Sequence, residues 1–163
     1  MLSTRSATSF DCTSHLSSAT YTGPLIIPYR AKHMEQIIAQ ESQQFLGKWI
    51  QPGQSKTLEN EYTFTGIYEG RVLICAGLLP AWSNRAIGWA YLDIEARRHM
   101  TFITKSIMRF LEICPFDRVE TAVDCDFKEG NRWARMLGFD LEASCMKKFR
   151  VDGGDCSLYA RIR

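Results

Sequence analysis

The chain has 163 residues, 45% of them hydrophobic and 23% charged, which are the proportions of an ordinary globular protein with one core. Its 20 basic and 18 acidic residues give a net charge of +2 and are mixed along the sequence, so nucleic acid is not indicated as a partner. The sequence contains neither the ~20-residue apolar run of a membrane span nor the apolar segment of a secretory signal. We therefore expect neither a membrane-spanning segment nor secretion.

Residues 1–22 form a Ser/Thr-rich segment in which eleven of twenty-two residues are serine or threonine. Such a segment buries too little apolar area to offset the entropy lost on ordering. We therefore predict a tail that gains order only on a partner, such as a neighbouring subunit. Residues 23–163 are predicted to form a single folded domain.

The first part of this domain is predicted to hold one strand and two helices. Residues 25–29 indicate a short strand, and Pro28 favours an edge position. Apolar residues at helical spacing predict a helix over residues 31–40 and a second over 45–50, broken near Gly47. Residues 52–55 are predicted to be a loop.

Three antiparallel strands are predicted to follow. Residues 62–68 alternate aromatic and small side chains, Glu69 and Gly70 indicate a tight turn, and residues 72–79 are almost continuously apolar. The sequence then predicts a longer loop over 80–85 and an aromatic-rich strand over 87–94.

The last part alternates helices and strands. One apolar face predicts a helix over residues 96–114, which Pro115 ends, so the strand over 119–124 should lie parallel to the strand before that helix. A short helix then stops at Gly138, where glycine directly before an aromatic residue is typical of a helix C-cap. Residues 141–149 and 156–162 are predicted to be a terminal hairpin.

The six cysteines form no C-x-x-C pair and the three histidines do not cluster, so no metal site is predicted. We expect reduced, mostly buried thiols in a reducing cytosol. Cys145 and Cys156 lie on the two strands of the terminal hairpin, where they could approach each other.

This order of elements, β-α-α-β-β-β-α-β-α-β-β, together with the Leu137-Gly138-Phe139 helix ending, resembles the GNAT (Gcn5-related N-acetyltransferase) superfamily. The resemblance implies an α/β (α+β) fold with one mixed sheet. Within that superfamily, the runs at residues 64–72, 77–82 and 89–92 look like the GNAT-like proteins of tailed bacteriophages, one group of which are internal virion proteins.

The resemblance implies a site for acetyl-CoA whose pyrophosphate rests on a glycine-containing turn, Arg/Gln-x-x-Gly-x-Gly/Ala, at the start of a helix. The comparable stretch here is 98–103, in which Thr101 and Ile103 fill both small positions. The basic residues Arg97, Arg98 and Lys105 near this helix start could still hold phosphates. The alternative is that they form a solvated surface.

The catalytic groups that the resemblance implies are only partly represented. Active relatives carry a tyrosine four residues before the Gly-Phe ending as general acid, where this chain has Ala134. Asp93 and Glu95 at the end of the third antiparallel strand are candidates for the general base. The alternative is that both carboxylates begin the following helix, whose positive end favours them. Asn131 is interpreted as a local cap or a surface residue.

Two functions remain open from the sequence. The first is a catalytically degenerate GNAT-fold phage protein, a structural or assembly component of the virion that contacts other virion proteins through residues 1–22. The second is an acetyl-CoA-dependent N-acetyltransferase with a divergent pyrophosphate turn. The virion or the cytoplasm of an infected bacterium is the expected location.

Overall fold

The computed structural model describes residues 22–49 and 53–163. These residues contain a seven-stranded mixed sheet with the strand order β1-β2-β3-β4-β5-β7-β6. Its strands are β1 (Pro24–Pro28), β2 (Thr63–Tyr68), β3 (Arg71–Trp82), β4 (Arg85–Leu92), β5 (Arg118–Asp124), β6 (Asp140–Met146) and β7 (Cys156–Ile162). The helices are α1 (Ala31–Met34), α2 (Leu46–Trp49), α3 (Gln54–Thr57), α4 (Met100–Ile113) and α5 (Lys128–Met136). The predicted fold class, the order of the strands and the mixed sheet are confirmed, with three short helices between β1 and β2 where two were predicted.

The first four strands form an antiparallel sheet with β1 at its edge, as Pro28 predicted. Glu69 and Gly70 form the turn between β2 and β3 with φ angles of 47° and 77°. Two consecutive left-handed residues match the right-handed twist of a two-residue hairpin. The prediction of a loop over 80–85 is wrong, because β3 continues through Pro80 to Trp82. A register shift between Pro80 and Trp82 accommodates the proline there.

The helices after β1 are shorter than predicted. α1 ends at Met34 instead of continuing to residue 40, and a 3₁₀ turn covers Glu41–Gln43. The chain leaves the helix because its backbone bonds the end of β4: Gln40 N donates to Leu92 O, and Ala39 bridges to Asp93. α2 runs through Gly47 without a break, and α3 begins inside the predicted loop. Residues 50–52 and the tail up to residue 21 lie outside the described residues.

The predicted helix over 96–114 is two segments. A 3₁₀ helix over Ile94–His99 leads directly into α4, which buries Ile103, Ile107 and Leu111 and ends before Pro115 as predicted. The 3₁₀ segment starts two residues earlier than expected because β4 ends at Leu92. The start of the helical region therefore lies at Ile94, and residues 98–101 are inside it.

β4 and β5 are parallel, as predicted, but they pair over only three residues, from Arg85↔Arg118 to Ile87↔Glu120. Beyond Gly88 the two strands diverge. The main core packs α4 and α5 against one face of the sheet, while a second cluster around Tyr29, Cys75 and Tyr91 lies on the other face.

The glycine ending of α5 is confirmed in detail. Gly138 has φ 83°, its N–H donates to Arg135 O at 3.0 Å, and Phe139 N donates to Ala134 O at 3.1 Å. These two bonds form a Schellman motif, in which a left-handed residue satisfies the last carbonyl groups of a helix. The motif turns the chain into β6, which pairs with β7 at the outer edge of the sheet.

Candidate functional site

A cleft of about 850 Å³ opens where β4 and β5 diverge. β4 contributes residues 87–90 and Leu92 to one wall, and β5 contributes residues 121–124 to the other. Apolar side chains of α4 and α5 complete the lining. Residues 40–46 and the loop between β6 and β7, through Phe149, Arg150 and Val151, border the opening. The protein thus holds an open, largely apolar gap at the centre of its sheet.

Two buried polar atoms in the cleft wall have no hydrogen-bond partner within the described residues: Ser42 Oγ and Trp89 Nε1. The Trp89 ring is held edge-on against Tyr29, with ring centroids 5.4 Å apart. A buried indole N–H without an acceptor costs on the order of 1–3 kcal/mol. A ligand that reached these atoms with a hydrogen-bonding group would recover that cost.

The open edge of β4 is bonded by a side chain. Gln43 Nε2 donates to Ala90 O at 2.7 Å, and Leu92 N donates to Gln43 Oε1 at 2.9 Å. One carboxamide thus takes the two bonds that a peptide unit of a neighbouring strand would make. The edge of β4 in the cleft can accordingly bond an amide group.

The N–H groups at the start of the helical region after β4 are already bonded. Ile94 N donates to Ile38 O at 2.8 Å, Glu95 N to Asp93 Oδ1 at 2.9 Å, and Ala96 N to Asp93 O at 2.9 Å. An anion bound at a helix start needs such N–H groups to be available. Here the carboxylate of Asp93 occupies the position of a bound anion. A phosphate at this point would therefore have to be bound by side chains.

Asp93 and Glu95, the predicted bases, are brought together but lie outside the cleft lining. Asp93 is 1% exposed, and its carboxylate pairs with Arg71 at 2.8 Å and accepts from Ile38 N at 2.9 Å. Glu95 pairs with Arg98 at 2.9 Å. These contacts favour the alternative that both residues begin the helical region. A catalytic role for them remains a prediction.

The predicted phosphate-binding residues are spread over two turns. Arg97 is exposed and borders the cleft, whereas Arg98, Thr101 and Lys105 are exposed but do not line it. Ile103 is 1% exposed and points into the core, so its side chain does not fill a phosphate site. Thr101 is therefore the substituted small position that remains at the surface.

Ala134, which stands where the resemblance implies a general acid, is buried and lines the cleft. The neighbouring Trp133 also lines the cleft, but its Nε1 donates to Thr104 Oγ1 at 2.9 Å. Asn131 is more than a surface residue: its Nδ2 donates to Asp124 O at 2.8 Å and its Oδ1 accepts from Tyr159 O–H at 2.9 Å. It fixes α5 to the end of β5 and to the middle of β7.

Asp124 is a cleft residue that the sequence reasoning missed. It ends β5, lines the cleft and is half-buried. Its Oδ1 accepts from Asp126 N at 2.8 Å, and its Oδ2 pairs with Arg150. Arg150 also pairs with Asp152 and lies 3.8 Å from the centroid of the Phe45 ring. The only sequence signal that could have indicated Asp124 is its position at the end of β5, the strand that diverges from β4.

Cys156 lines the cleft opposite Asp124, its partner across β5 and β7. Burial raises the pKa of this thiol, so it stays protonated at neutral pH. Cys145 does not approach Cys156, contrary to expectation, because Met146 is the residue that pairs with Cys156. Cys145 instead lies beside Cys125.

Among the described residues, no helix is long and apolar enough to cross a membrane. The same residues contain no group of three or more His, Cys, Asp or Glu side chains that could hold a metal ion.

The fold has many solved counterparts among N-acetyltransferases. Ard1 from Thermoplasma volcanium is 17% identical with a TM-score of 0.69, and the match covers 86% of this chain and 97% of that one. RimL, a ribosomal L7/L12 alpha-N-protein acetyltransferase in complex with coenzyme A, is 15% identical with a TM-score of 0.62, covering 88% of this chain and 96% of that one. An acetyltransferase of the GNAT family from Bacillus anthracis is 13% identical with a TM-score of 0.62, covering 85% and 94%.

No protein-family model matches the sequence, and no curated protein matches it. Because the sequence identities to these solved structures are low, the structural similarity establishes the fold and nothing further. The chain therefore has the GNAT fold, with the parallel strands β4 and β5 diverging at its centre.

Proposed function

We propose that this chain is an acetyl-CoA-dependent N-acetyltransferase with a rebuilt phosphate-binding segment. The observation that carries the proposal is the open cleft between β4 and β5, whose wall contains unpartnered buried polar atoms at Ser42 and Trp89. A core gap of this kind lowers stability unless a ligand fills it. A ligand with a long, mostly apolar chain and a few hydrogen-bonding groups matches the largely apolar lining of this cleft.

The residues present fit the pantetheine part of such a ligand better than its pyrophosphate. The edge of β4 at Ala90 and Leu92 bonds an amide, at present that of Gln43. The helix-start N–H groups are taken by Asp93 and Ile38, so phosphates would depend on Arg97 at the cleft border, with Arg98 and Lys105 nearby. Side-chain guanidinium groups can supply that charge without glycine.

Acetyl-CoA, when bound, would supply the acetyl group, carried as a thioester, for transfer to the acceptor amine. Asp124 is the cleft carboxylate that we assign as general base, with the proton accepted at Oδ2. Because Arg150 pairs with Asp152 as well as with Asp124, it can release Oδ2 without losing a carboxylate partner. Ala134 donates no proton, so protonation of the leaving thiolate falls to water. Loss of a positioned acid typically lowers the rate 10²–10⁴-fold, and we expect a slow enzyme.

Isothermal titration of acetyl-CoA into the full chain tests this proposal. We expect micromolar binding by the native protein and about five- to tenfold weaker binding by Trp89→Phe, which keeps the ring and removes the unpartnered N–H. Trp82→Phe is the matched control, because Trp82 is exposed and lies outside the cleft lining. Absence of binding to the native protein would overturn the proposal.

A virion structural component remains the second candidate function. It is favoured by Ala134 in the place of the acid and by the missing glycines of the phosphate turn. Under this alternative the protein binds no acetyl-CoA and associates with other virion proteins through residues 1–22. Deletion of those residues would then abolish incorporation into particles, whereas acetyl-CoA titration would give no heat.

A further inference from the structure

Two of the five described cysteines differ from the rest in exposure. Cys75, Cys114 and Cys156 are buried, whereas Cys125 is partly exposed and Cys145 is exposed. The Sγ atoms of Cys125 and Cys145 are 3.6 Å apart. Two accessible sulfur atoms at this distance need to move about 1.5 Å closer to reach the ~2.05 Å of a disulfide.

The local backbone can allow this movement. Cys125 directly follows β5 and contacts Ser157 Oγ on β7 at 3.7 Å, while Cys145 lies on β6, beyond β7. The pairing of β6 with β7 shifts register between Ala143 and Met146, so Cys145 lies in an irregular stretch of the outermost strand. Because β7 lies between the two cysteines, their sulfur atoms must close over its Ser157, and the bend of the bulged edge strand β6 brings Cys145 towards Cys125.

A polar pocket of about 350 Å³ adjoins Cys125. Its lining includes Lys128 and Arg135 as cations together with Asn131 and Ser144. The pocket is therefore suited to a small anionic molecule with hydrogen-bonding groups. Asp124 and the other residues assigned above to the acetyltransferase site do not line this pocket, so the proposal below does not rest on that function.

The surroundings of Cys145 favour its protonated form. The hydrogen bond with Cys125 raises the pKa of Cys145, so the thiol is mainly protonated at neutral pH. Asp155 Oδ2 lies 3.6 Å from Cys145 Sγ and 2.8 Å from Lys147 Nζ, which orders the residues around the thiol. The lysine favours the thiolate when the proton leaves.

We propose that Cys125 and Cys145 form a redox-active dithiol whose substrate is an anionic low-molecular-weight disulfide of the glutathione class. The thiolate of Cys125 attacks the disulfide held in the adjoining pocket, forms a mixed disulfide and releases one thiol. The thiolate of Cys145 then attacks the Cys125 sulfur and releases the second thiol. The protein pair is oxidised by two electrons, the small disulfide is reduced to two thiols, and these carry away the two cysteine protons.

Peptide mapping of the full chain after incubation with glutathione disulfide and alkylation tests this site. Trypsin separates the two cysteines, because Cys125 lies in the peptide 119–128 and Cys145 in the peptide 136–147. We expect these two peptides to be linked, with a mass two hydrogens below their sum. We also expect this linkage to form at least tenfold faster than any other cysteine pairing.

Single variants separate the two steps. Cys145→Ser should stop at a glutathione adduct on Cys125, and Cys125→Ser should yield no linked peptide. Cys114→Ser is the matched control, since this buried thiol donates to Leu111 O and a serine can do the same; the linkage should persist. Adducts on Cys125 and Cys145 without linkage, or a linkage between Cys145 and Cys156, would overturn the proposal.

The pocket charges and the dithiol can be tested separately. Arg135→Gln should slow the reaction with glutathione disulfide severalfold and leave the reaction with the neutral disulfide of mercaptoethanol unchanged. Phenylarsine oxide, which bridges two close thiols, should stay bound to the native protein through dialysis and be lost from either single cysteine variant. Equal retention by the single variants would contradict the paired arrangement.

Discussion

The two halves of the sheet differ in the burial and hydrogen bonding of their polar and reactive side chains. In the half that contains β1–β4, Asp93 and His33 are buried and hydrogen-bonded to the backbone. In the half that contains β5, β7 and β6, the Asp124 ion pair and the thiols of Cys125 and Cys145 reach the cleft or the surface. The cleft lies where these halves part, so one half provides a fixed wall and the other provides groups that can react.

This difference predicts different consequences for substitutions on the two sides. A buried, satisfied group contributes to the free energy of unfolding, and its removal leaves partners without bonds. The Asp124–Arg150 pair is partly exposed, and such a pair contributes less to stability than a fully buried one. Changes in the first half should therefore lower stability, whereas changes in the second should alter chemistry with little loss of stability.

The largest expected effect is that of Asp93→Ala. The change removes the acceptors of Ile38 N and Glu95 N and the partner of Arg71. We expect the free energy of unfolding to fall by about 3 kcal/mol in urea denaturation. Glu95→Ala, which removes only a pair with exposed Arg98, should change it by less than about 1 kcal/mol. Equal effects of the two variants would show that Asp93 is not the fixed anchor of this half.

The next effect is that of Asp124→Asn on turnover. Asparagine keeps the acceptor for Asp126 N but cannot take a proton from the acceptor amine. We expect the rate of acetyl transfer to fall about a hundredfold or more, while unfolding free energy changes by less than about 1 kcal/mol.

Glu129→Gln is the matched control for Asp124, because Glu129 also lines the cleft but is exposed. Turnover of this variant should remain within about twofold of the native value. If Glu129→Gln lost more activity than Asp124→Asn, the base would have to be reassigned.

The framework of the fold could be predicted from the sequence because its signals are local. Gly138 requires a left-handed conformation that side chains resist, and the helix between two apolar strands requires β4 and β5 to be parallel. Pro80 misled the prediction, since proline usually ends a strand. Here a register shift lets the strand pass through it.

The cleft chemistry could be predicted only in part, because it depends on contacts between distant segments. The spacing of Ala134 to Gly138 was enough to predict that the position of the general acid holds an alanine. For Asp93, the sequence left two interpretations open, a general base or the start of the helical region. The bonds of Gln43 to β4 join residues 47 and 49 positions apart. Such pairings follow from packing and leave no periodic signal.

A smaller effect is expected for Arg97→Ala on acetyl-CoA affinity. Arg97 borders the cleft beside a helix start whose N–H groups are already bonded, so its charge should replace part of the missing phosphate contacts. We expect about fivefold weaker binding at low salt, by titration calorimetry, and a smaller difference at 0.5 M salt because the exposed charge is screened. Arg109→Ala, an exposed change near the other end of α4, should bind like the native protein.

The smallest effect is the pH dependence of stability that His33 gives to the first half of the sheet. Burial lowers the pKa of His33 from its ordinary value of 6.5, and its Nδ1 accepts from Arg30 N at 3.1 Å, a bond that only the unprotonated nitrogen can make. The unfolded chain therefore binds a proton more readily than the folded one. Stability should be full above about pH 6.5 and fall as the pH is lowered through the folded-state pKa, by at most about 1.4 kcal/mol per pH unit for one proton.

Urea denaturation between pH 5 and pH 7.5 measures this slope, and His33→Gln should remove most of it because glutamine stays neutral over that range. His99→Gln is the matched comparison variant, because His99 is partly exposed and packs against the Tyr68 ring with centroids 4.2 Å apart. A slope that survives His33→Gln and disappears with His99→Gln would place the pH-sensitive group beside the start of α4 instead of under the first half of the sheet. Because protonation at His33 breaks a backbone bond at the start of α1, the slope reports how firmly the fixed wall of the cleft is held.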